Sequence, residues 1–242
     1  MTSDAAPVGR IPARGAIAGA MMLALWLAGC GTDTSRTEGT RIALGVVQGI
    51  KQKVVPGKSA APADVPDPEK LAASAMASFK GPLILAQIEK AGLLTALGET
   101  GRNGASRTFA TPNEQTLVLR NGILTATRGL GDDLMSADTA QAASLILRRE
   151  SGSANRTYRY LDGEGIERPL PMQCTVTAGP AKSFDFAGRH YDTRQMDESC
   201  RATAAELTVS NSYWVTSDGT VALSRQWIGP ALGHLTIQLV RP

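Results

Sequence analysis

Two dipeptides set the limits on what this chain can become. Asn121-Gly122 stands between "TLVLR" and "ILTATR", and Asp218-Gly219 stands between "SYWVTS" and "TVALSRQWIG". The first suits the left-handed backbone of a two-residue hairpin turn, the second also marks a hairpin, and each is flanked by alternating apolar and polar residues. Strands are therefore expected at 116–120 and 123–128, with a second hairpin across 218–219. The same period of two begins at Leu83. "PLILAQIEKAGLLTALGET" reads as two strands broken near Lys90 to Gly92, and "NRTYRYLDGEG" as a strand entering a turn. "MQCTVTAG", "KSFDFAGRHYDTR" and "ESCRATAAELTV" supply more strands, and "HLTIQLV" closes the chain. Eight to eleven short strands with hairpin-length connections, and no alternation with long helices, predict a mainly β protein. The expected architecture is an antiparallel meander curved toward a half-barrel or sandwich.

Helices are few in this reading. Asp67 is placed to cap, Pro68 fits the first helical position and Glu69 suits the positive end, so "EKLAASAMASFK" is expected to be helical until Gly81-Pro82 stops it. Asp138 is placed to cap a short helix through "TAQAASLIL". Ile42, Val46, Val47, Ile50 and Val54 fall near helical spacing, and "PGKSAAPADVPDP" after them should be a proline-rich loop.

The first thirty residues point to the cell envelope. Arg10 and Arg14 precede the apolar run Gly15 to Gly29, the layout of a secretory signal sequence. At about 1.5 Å per residue such a run reaches roughly 22 Å, short of the roughly 30 Å of a hydrocarbon core. Leu27-Ala28-Gly29-Cys30 resembles the lipobox of bacterial lipoproteins, in which the cysteine becomes a lipid-modified amino terminus. Gly31 stands where an aspartate would favour retention in the inner membrane, so the resemblance implies the periplasmic face of the outer membrane. Residues 1–29 are thus expected to be a signal peptide, 30–40 a polar tether and 41–242 the mainly β domain. Membrane attachment would run through the acyl chains on Cys30.

Removing residues 1–29 from the 242 leaves 213, enough for one domain with its own core. The removed segment carries Arg10, Arg14 and Asp4, so the net charge falls from +3 to +2. With no block of lysine or arginine, nucleic acid is excluded as a partner. Once Cys30 is assigned to lipid, Cys174 and Cys200 remain, an even pair in an oxidising compartment, expected as a disulfide with two buried free thiols as the alternative.

Chemistry-bearing patterns are sparse. The adjacent carboxylates Asp132 and Asp133 follow Arg128 in a glycine-rich stretch and read first as a solvated turn, since neighbours on an extended strand point to opposite faces. His190 and His234 have no HExxH or paired CxxC around them, and there is no GxSxG elbow or phosphate loop, so neither metal nor cofactor is expected. Tyr213-Trp214 and Gln226-Trp227 sit on one hairpin. Alternation could present indole faces to one side for stacking on sugars, with Arg225 pairing an acidic saccharide, although core packing is the simpler reading.

"LVLRNGILTATRGLGDDLMSAD", "YRYLDG" at 158–163, "ESC" at 198–200 and "NSYWVTSDGTVALSRQWIGPALG" at 211–233 together resemble the YjbF/GfcB group of outer-membrane lipoproteins, which are linked to exopolysaccharide and group 4 capsule production. The resemblance runs from about Leu83 to the end. It implies a mainly antiparallel fold curved toward a half-barrel, and a role in surface polysaccharide production or export, without catalytic residues to carry over. Arg128, Asp132, Asp133, Trp214, Arg225 and Trp227 are the candidate signature residues or contacts for glycan or an export partner. The expected function is non-catalytic assistance to polysaccharide export. The alternatives are a polysaccharide-modifying enzyme using carboxylates such as Asp132, Asp133 or Glu198, and an envelope assembly scaffold.

Overall fold

Twelve antiparallel strands form one sheet that curls into a nearly closed barrel. The computed structural model describes residues 66–242 apart from 162, 163, 203 and 205. The expected signal peptide, lipidated Cys30, tether, helix at 41–55 and proline-rich loop lie outside the described residues. The strands are β1 (Leu83–Ile88), β2 (Leu93–Asn103), β3 (Ser106–Ala110), β4 (Thr116–Arg120), β5 (Ile123–Arg128), β6 (Ser136–Asp138), β7 (Gly152–Leu161), β8 (Glu167–Phe186), β9 (Arg189–Ala202), β10 (Leu207–Thr216), β11 (Val221–Gly229) and β12 (Gly233–Arg241). Their order across the sheet is β5-β4-β3-β2-β1-β12-β11-β10-β9-β8-β7-β6. Every pair of neighbours in the sheet is consecutive in sequence except β1 and β12, and the consecutive strands β5 and β6 stand at its two ends.

The strand alternation sets the inside of the barrel. Ala154, Tyr158, Met172, Cys174, Val176, Met196, Cys200, Val209, Tyr213 and Val215 point inward at every second position and join Ile84, Leu117, Leu124 and Ile237 in one apolar cluster. Helix α2 (Ala140–Arg148) adds Ala142 and Ile146 to the same cluster. It also covers part of the β7 edge, where the Gln141 Oε1 accepts from the Asn155 N–H at 2.9 Å. Asp138 reaches the Ala140 N–H at 3.3 Å, although Thr139 occupies the cap position.

Helix α1 (Pro68–Ser78) begins as expected: Asp67 accepts from the N–H groups of Glu69 and Lys70 with Pro68 in the first turn. Its apolar side, Leu71, Ala72, Ala75 and Met76, lies outside the barrel on Leu83, Leu85 and Val240, together with Phe186 and Ala187 from the β8–β9 hairpin tip. Among the described residues no helix is long and apolar enough to cross a membrane.

The strand count exceeds the eight to eleven expected. Residues 136–138 form a short strand of their own, while "MQCTVTAG" and "KSFDF" are parts of one 20-residue strand rather than two. The ladder shifts register between Ala178 and Ala181, so Pro180, which has no N–H to give, falls where pairing is already interrupted.

One ion cluster shared by β2 and β3 predicts a pH response. Glu99 on β2 accepts from Arg102 and from Arg107, the latter at 2.6 Å. Hydrogen bonding from Arg102, opposed by partial burial and reinforced by Arg107, brings the Glu99 carboxyl from 4.5 down to about 2. A carboxyl depressed in the folded state stabilises it above its unfolded pKa, and that contribution is lost as pH falls from about 4.5 through about 2. Denaturation series across that window should show a steeper loss of stability for the wild type than for Glu99→Gln. Parallel slopes would rule this pair out as a source of acid sensitivity.

Candidate functional site

The glycine-rich stretch 119–138 closes the barrel. Asn121 and Gly122 both hold positive φ, 51° and 80°, and turn β4 into β5 as the dipeptide predicts. Gly122 is required for a second reason: a Cβ there would lie 2.7 Å from the Val221 Cβ on β11. Beyond β5, residues 129–135 bridge the two ends of the sheet. The Thr127 N–H donates to the Leu134 carbonyl at 2.9 Å, and the Met135 N–H donates to the Arg159 carbonyl on β7 at 2.9 Å.

Asp133 organises this seam. Its Oδ1 accepts from the Thr127 hydroxyl at 2.8 Å and the Leu130 N–H at 3.1 Å, and its Oδ2 accepts from the Gly129 N–H at 2.8 Å. The Arg128 guanidinium donates to the carbonyls of Thr127, Leu134 and Met135. Asp132 is exposed beside them. Arg128 and Asp133 therefore clasp backbone, and the two adjacent carboxylates do not form a pair facing a substrate.

The second signature segment meets the first inside the barrel. Gln226 on β11 is fully buried; its Oε1 accepts from the Leu124 N–H at 2.9 Å, and its Nε2 donates to the Ser224 hydroxyl at 2.9 Å and toward the Gly122 carbonyl at 3.4 Å. One amide thus ties β5 to β11. Replacing Gln226 by leucine leaves the buried Leu124 N–H without a partner and is expected to cost about 1–3 kcal/mol in denaturant unfolding. A loss under 0.5 kcal/mol would show that the tie is dispensable.

The two indoles do not share a face. Trp227 is 5% exposed and packs edge-on against Tyr158, with centroids 5.2 Å apart and planes at 83°. Trp214 stands on the outer face, with the Lys182 ammonium of the β8–β9 arm 5.6 Å from its ring centre. The alternation expected to line them up is broken because the β11 register shifts between Trp227 and Gly229 and the Asn211 side chain takes the Trp227 N–H at 2.7 Å. Arg225 is outward but engaged, donating to both oxygens of Glu89, the closer at 2.7 Å, so it pairs with protein. His190 lies between Asp185 and Asp192 on the exposed hairpin arm, where the hydrogen bond to Asp185 first and Asp192 next raise its pKa. His234 bonds the Ser210 carbonyl at 2.8 Å.

A polar group absent from the candidate contacts occupies the barrel interior. Glu198 Oε2 accepts from Arg156 Nη1 at 2.6 Å, Asn211 Nδ2 at 2.7 Å and the Tyr213 hydroxyl at 3.0 Å, and that hydroxyl accepts from Arg156 at 3.0 Å. All four side chains are buried. Burial pushes the Tyr158 and Tyr213 hydroxyls up, which keeps both neutral. Beside them Cys174 and Cys200, directly paired across β8 and β9, form a disulfide. Cys174, Glu198 and Cys200 bring ligand-type atoms within 4.8 Å of one another. The two sulfurs are bonded to each other, however, and offer no thiolate to a metal. Nothing in the spacing of Arg156, Glu198 and Asn211 separates them from surface residues; the only sign is that they occupy the inward phase of their strands.

Residues 46–240 match the family model described as group 4 capsule polysaccharide lipoprotein GfcB, YjbF. The chain belongs to this family. The segments that carried the resemblance are the ones that close the barrel and tie β5 to β11. Among solved structures, the hypothetical lipoprotein YmcC from Escherichia coli (K12) is similar at 18% identity and a TM-score of 0.63, covering 72% of this chain and 90% of its own. A putative exported protein with a YmcC-like fold from Bacteroides fragilis aligns at 9% identity and a TM-score of 0.29, over 67% of this chain and 95% of its own. The YmcC likeness shows a shared fold. No curated protein matches the chain.

Proposed function

We propose that this family member is a lipid-anchored, non-enzymatic lipoprotein on the periplasmic face of the outer membrane, assisting exopolysaccharide or capsule production and export by binding glycan or an export partner. The observation that carries this reading is the family match over residues 46–240. Leu27-Ala28-Gly29-Cys30 supplies the expected anchor. The interior is packed with side chains, so contact with a polymer or a partner falls to the outer surface. The carboxylates that an enzyme would use are poorly placed for it: Glu198 is 1% exposed and paired with Arg156, and Asp133 holds its own loop, with Asp132 exposed beside it.

The test is surface polysaccharide output in a deletion strain complemented with wild type or with Cys30→Ala. Loss on deletion, with rescue by wild type alone, is the expected result. Unchanged output in every strain would remove the export role. Crosslinking in the wild-type strain that captures protein but no sugar would move the protein to the scaffold class.

A further inference from the structure

The outer face of β7, β8 and β9 carries two adjacent rungs of polar side chains, all uncharged except one arginine. Ser153, Thr175 and Ser199 stand in register, and next to them Asn155, Gln173 and Arg201 do the same. All six are exposed. The register continues onto β10, where Ser210 faces Ser199 and Thr208 faces Arg201. Gln141 at the start of helix α2 forms one side, so the rungs floor an open groove of about 440 Å³ rather than a flat sheet.

The chemistry of this groove differs from that at the other end of β8 and β9. At the other end of the same strands the outward residues are charged and mutually engaged, as with Asp185, His190 and Asp192. The groove lining holds one formal charge, Arg201, and no acidic residue. Among the described residues the Arg201 side chain makes no ion pair or hydrogen bond, as is also true of Arg120 and Arg194, whereas Arg107, Arg156 and Arg225 are each paired with a carboxylate.

We infer that the groove binds a short segment of acidic polysaccharide, with sugar hydroxyls meeting the Ser, Thr, Asn and Gln ladder and a sugar carboxylate meeting the Arg201 guanidinium. Strand neighbours about 4.8 Å apart match the roughly 5 Å step of one sugar unit, so three or four strands span about that many sugars. Hydroxyl and amide groups are donors and acceptors at once and suit alternating sugar hydroxyls. Guanidinium matches a carboxylate with two parallel hydrogen bonds. Nucleic acid fits poorly on two counts: no aromatic side chain lines the groove for base stacking, and a single arginine does not neutralise a phosphate backbone. The absence of an aromatic floor also makes the charged contact the main source of discrimination. This inference rests on the glycan-binding reading above and moves its site from Trp214 and Arg225, which are occupied by Lys182 and Glu89, to Arg201.

The probe is tetragalacturonate, with maltotetraose as the neutral control, titrated calorimetrically into the full chain in detergent. Wild type should bind the acidic tetramer at least about tenfold more tightly than the neutral one, and Arg201→Gln should remove that preference, with Arg201→Lys retaining part of it. Thr175→Trp, which fills the groove floor from an exposed position, should abolish binding while the thermal midpoint stays at the wild-type value. Absence of tetragalacturonate binding by wild type, equal affinity for the two tetramers, or an unchanged affinity in Arg201→Gln each overturns the inference. In cells the two readings separate. If deletion abolishes polysaccharide output and Arg201→Gln restores it in full, the groove assignment fails and the export role stands; if deletion changes nothing, the export role itself fails.

Discussion

Glu198→Ala is expected to destabilise the fold by roughly 3–5 kcal/mol, the scale seen when one member of a buried ion pair is removed. Arg156 and Glu198 are 2% and 1% exposed, and Glu198 Oε2 is the acceptor for three donors at once. Truncating the glutamate leaves a guanidinium that stays protonated in an apolar interior, and it strips Asn211 and Tyr213 of the same partner. The pair as a whole need not be stabilising relative to hydrocarbon. Arg156→Met combined with Glu198→Leu should therefore recover at least half of the single-variant loss. Urea unfolding followed by tryptophan fluorescence measures all three proteins. A single-variant loss below about 1 kcal/mol would mean that the charge finds water or another partner, and the barrel interior would have to be redrawn as wet.

Removing the disulfide is the other large effect. Cys174→Ala with Cys200→Ala opens a link across 26 residues of separation, and the chain-entropy argument gives a loss of about 3–4 kcal/mol. Alanine avoids adding a buried hydroxyl at two positions that are 3% and 0% exposed. Equilibrium unfolding of the wild type under reductant should fall to the level of the double variant, since reduction proceeds through the open chain. Unfolding curves unchanged by reductant would show that the bond adds nothing. Cys200 and Glu198 lie two residues apart on the same inner face of β9, and the Glu198 and disulfide losses should not add. The combined variant measures that coupling.

The fold was readable from sequence wherever turn chemistry and alternation agreed. Asn121-Gly122 and Asp218-Gly219 mark real hairpins, and Lys90 to Gly92 lies at the expected break, where a short 3-10 turn over Glu89–Ala91 ends in left-handed Gly92. The Cys174–Cys200 bridge also followed from counting cysteines. What escaped was non-local. Residues 136–138 are too short to show a period and become a strand only because β7 lies beside them. The unity of β8 across Pro180 depends on a partner that absorbs the register shift. The surroundings of the candidate contacts were hidden for the same reason: alternation predicts which face a side chain takes but not what waits there, so Arg225 met Glu89, Trp227 met Tyr158, and Asp133 met its own loop. Gln226 and Glu198 carry polar labels that suggest surface, and only the closure of the sheet makes them interior.

The meeting of β1 with β12 bears on the order in which the chain can be completed. Every other neighbour in the sheet is also a neighbour in sequence, so ten of the eleven pairings can form as soon as the next strand emerges. The last nine residues of strand are not a trailing edge. They are inserted between β1 and β11, in the middle of the sheet. Until they arrive, β1 and β11 each present an open edge, and β1 is buried along nearly its whole length in the finished protein. A stop codon a few residues before the end would therefore split the sheet into two meanders rather than trim it, and should be as damaging as one placed far upstream.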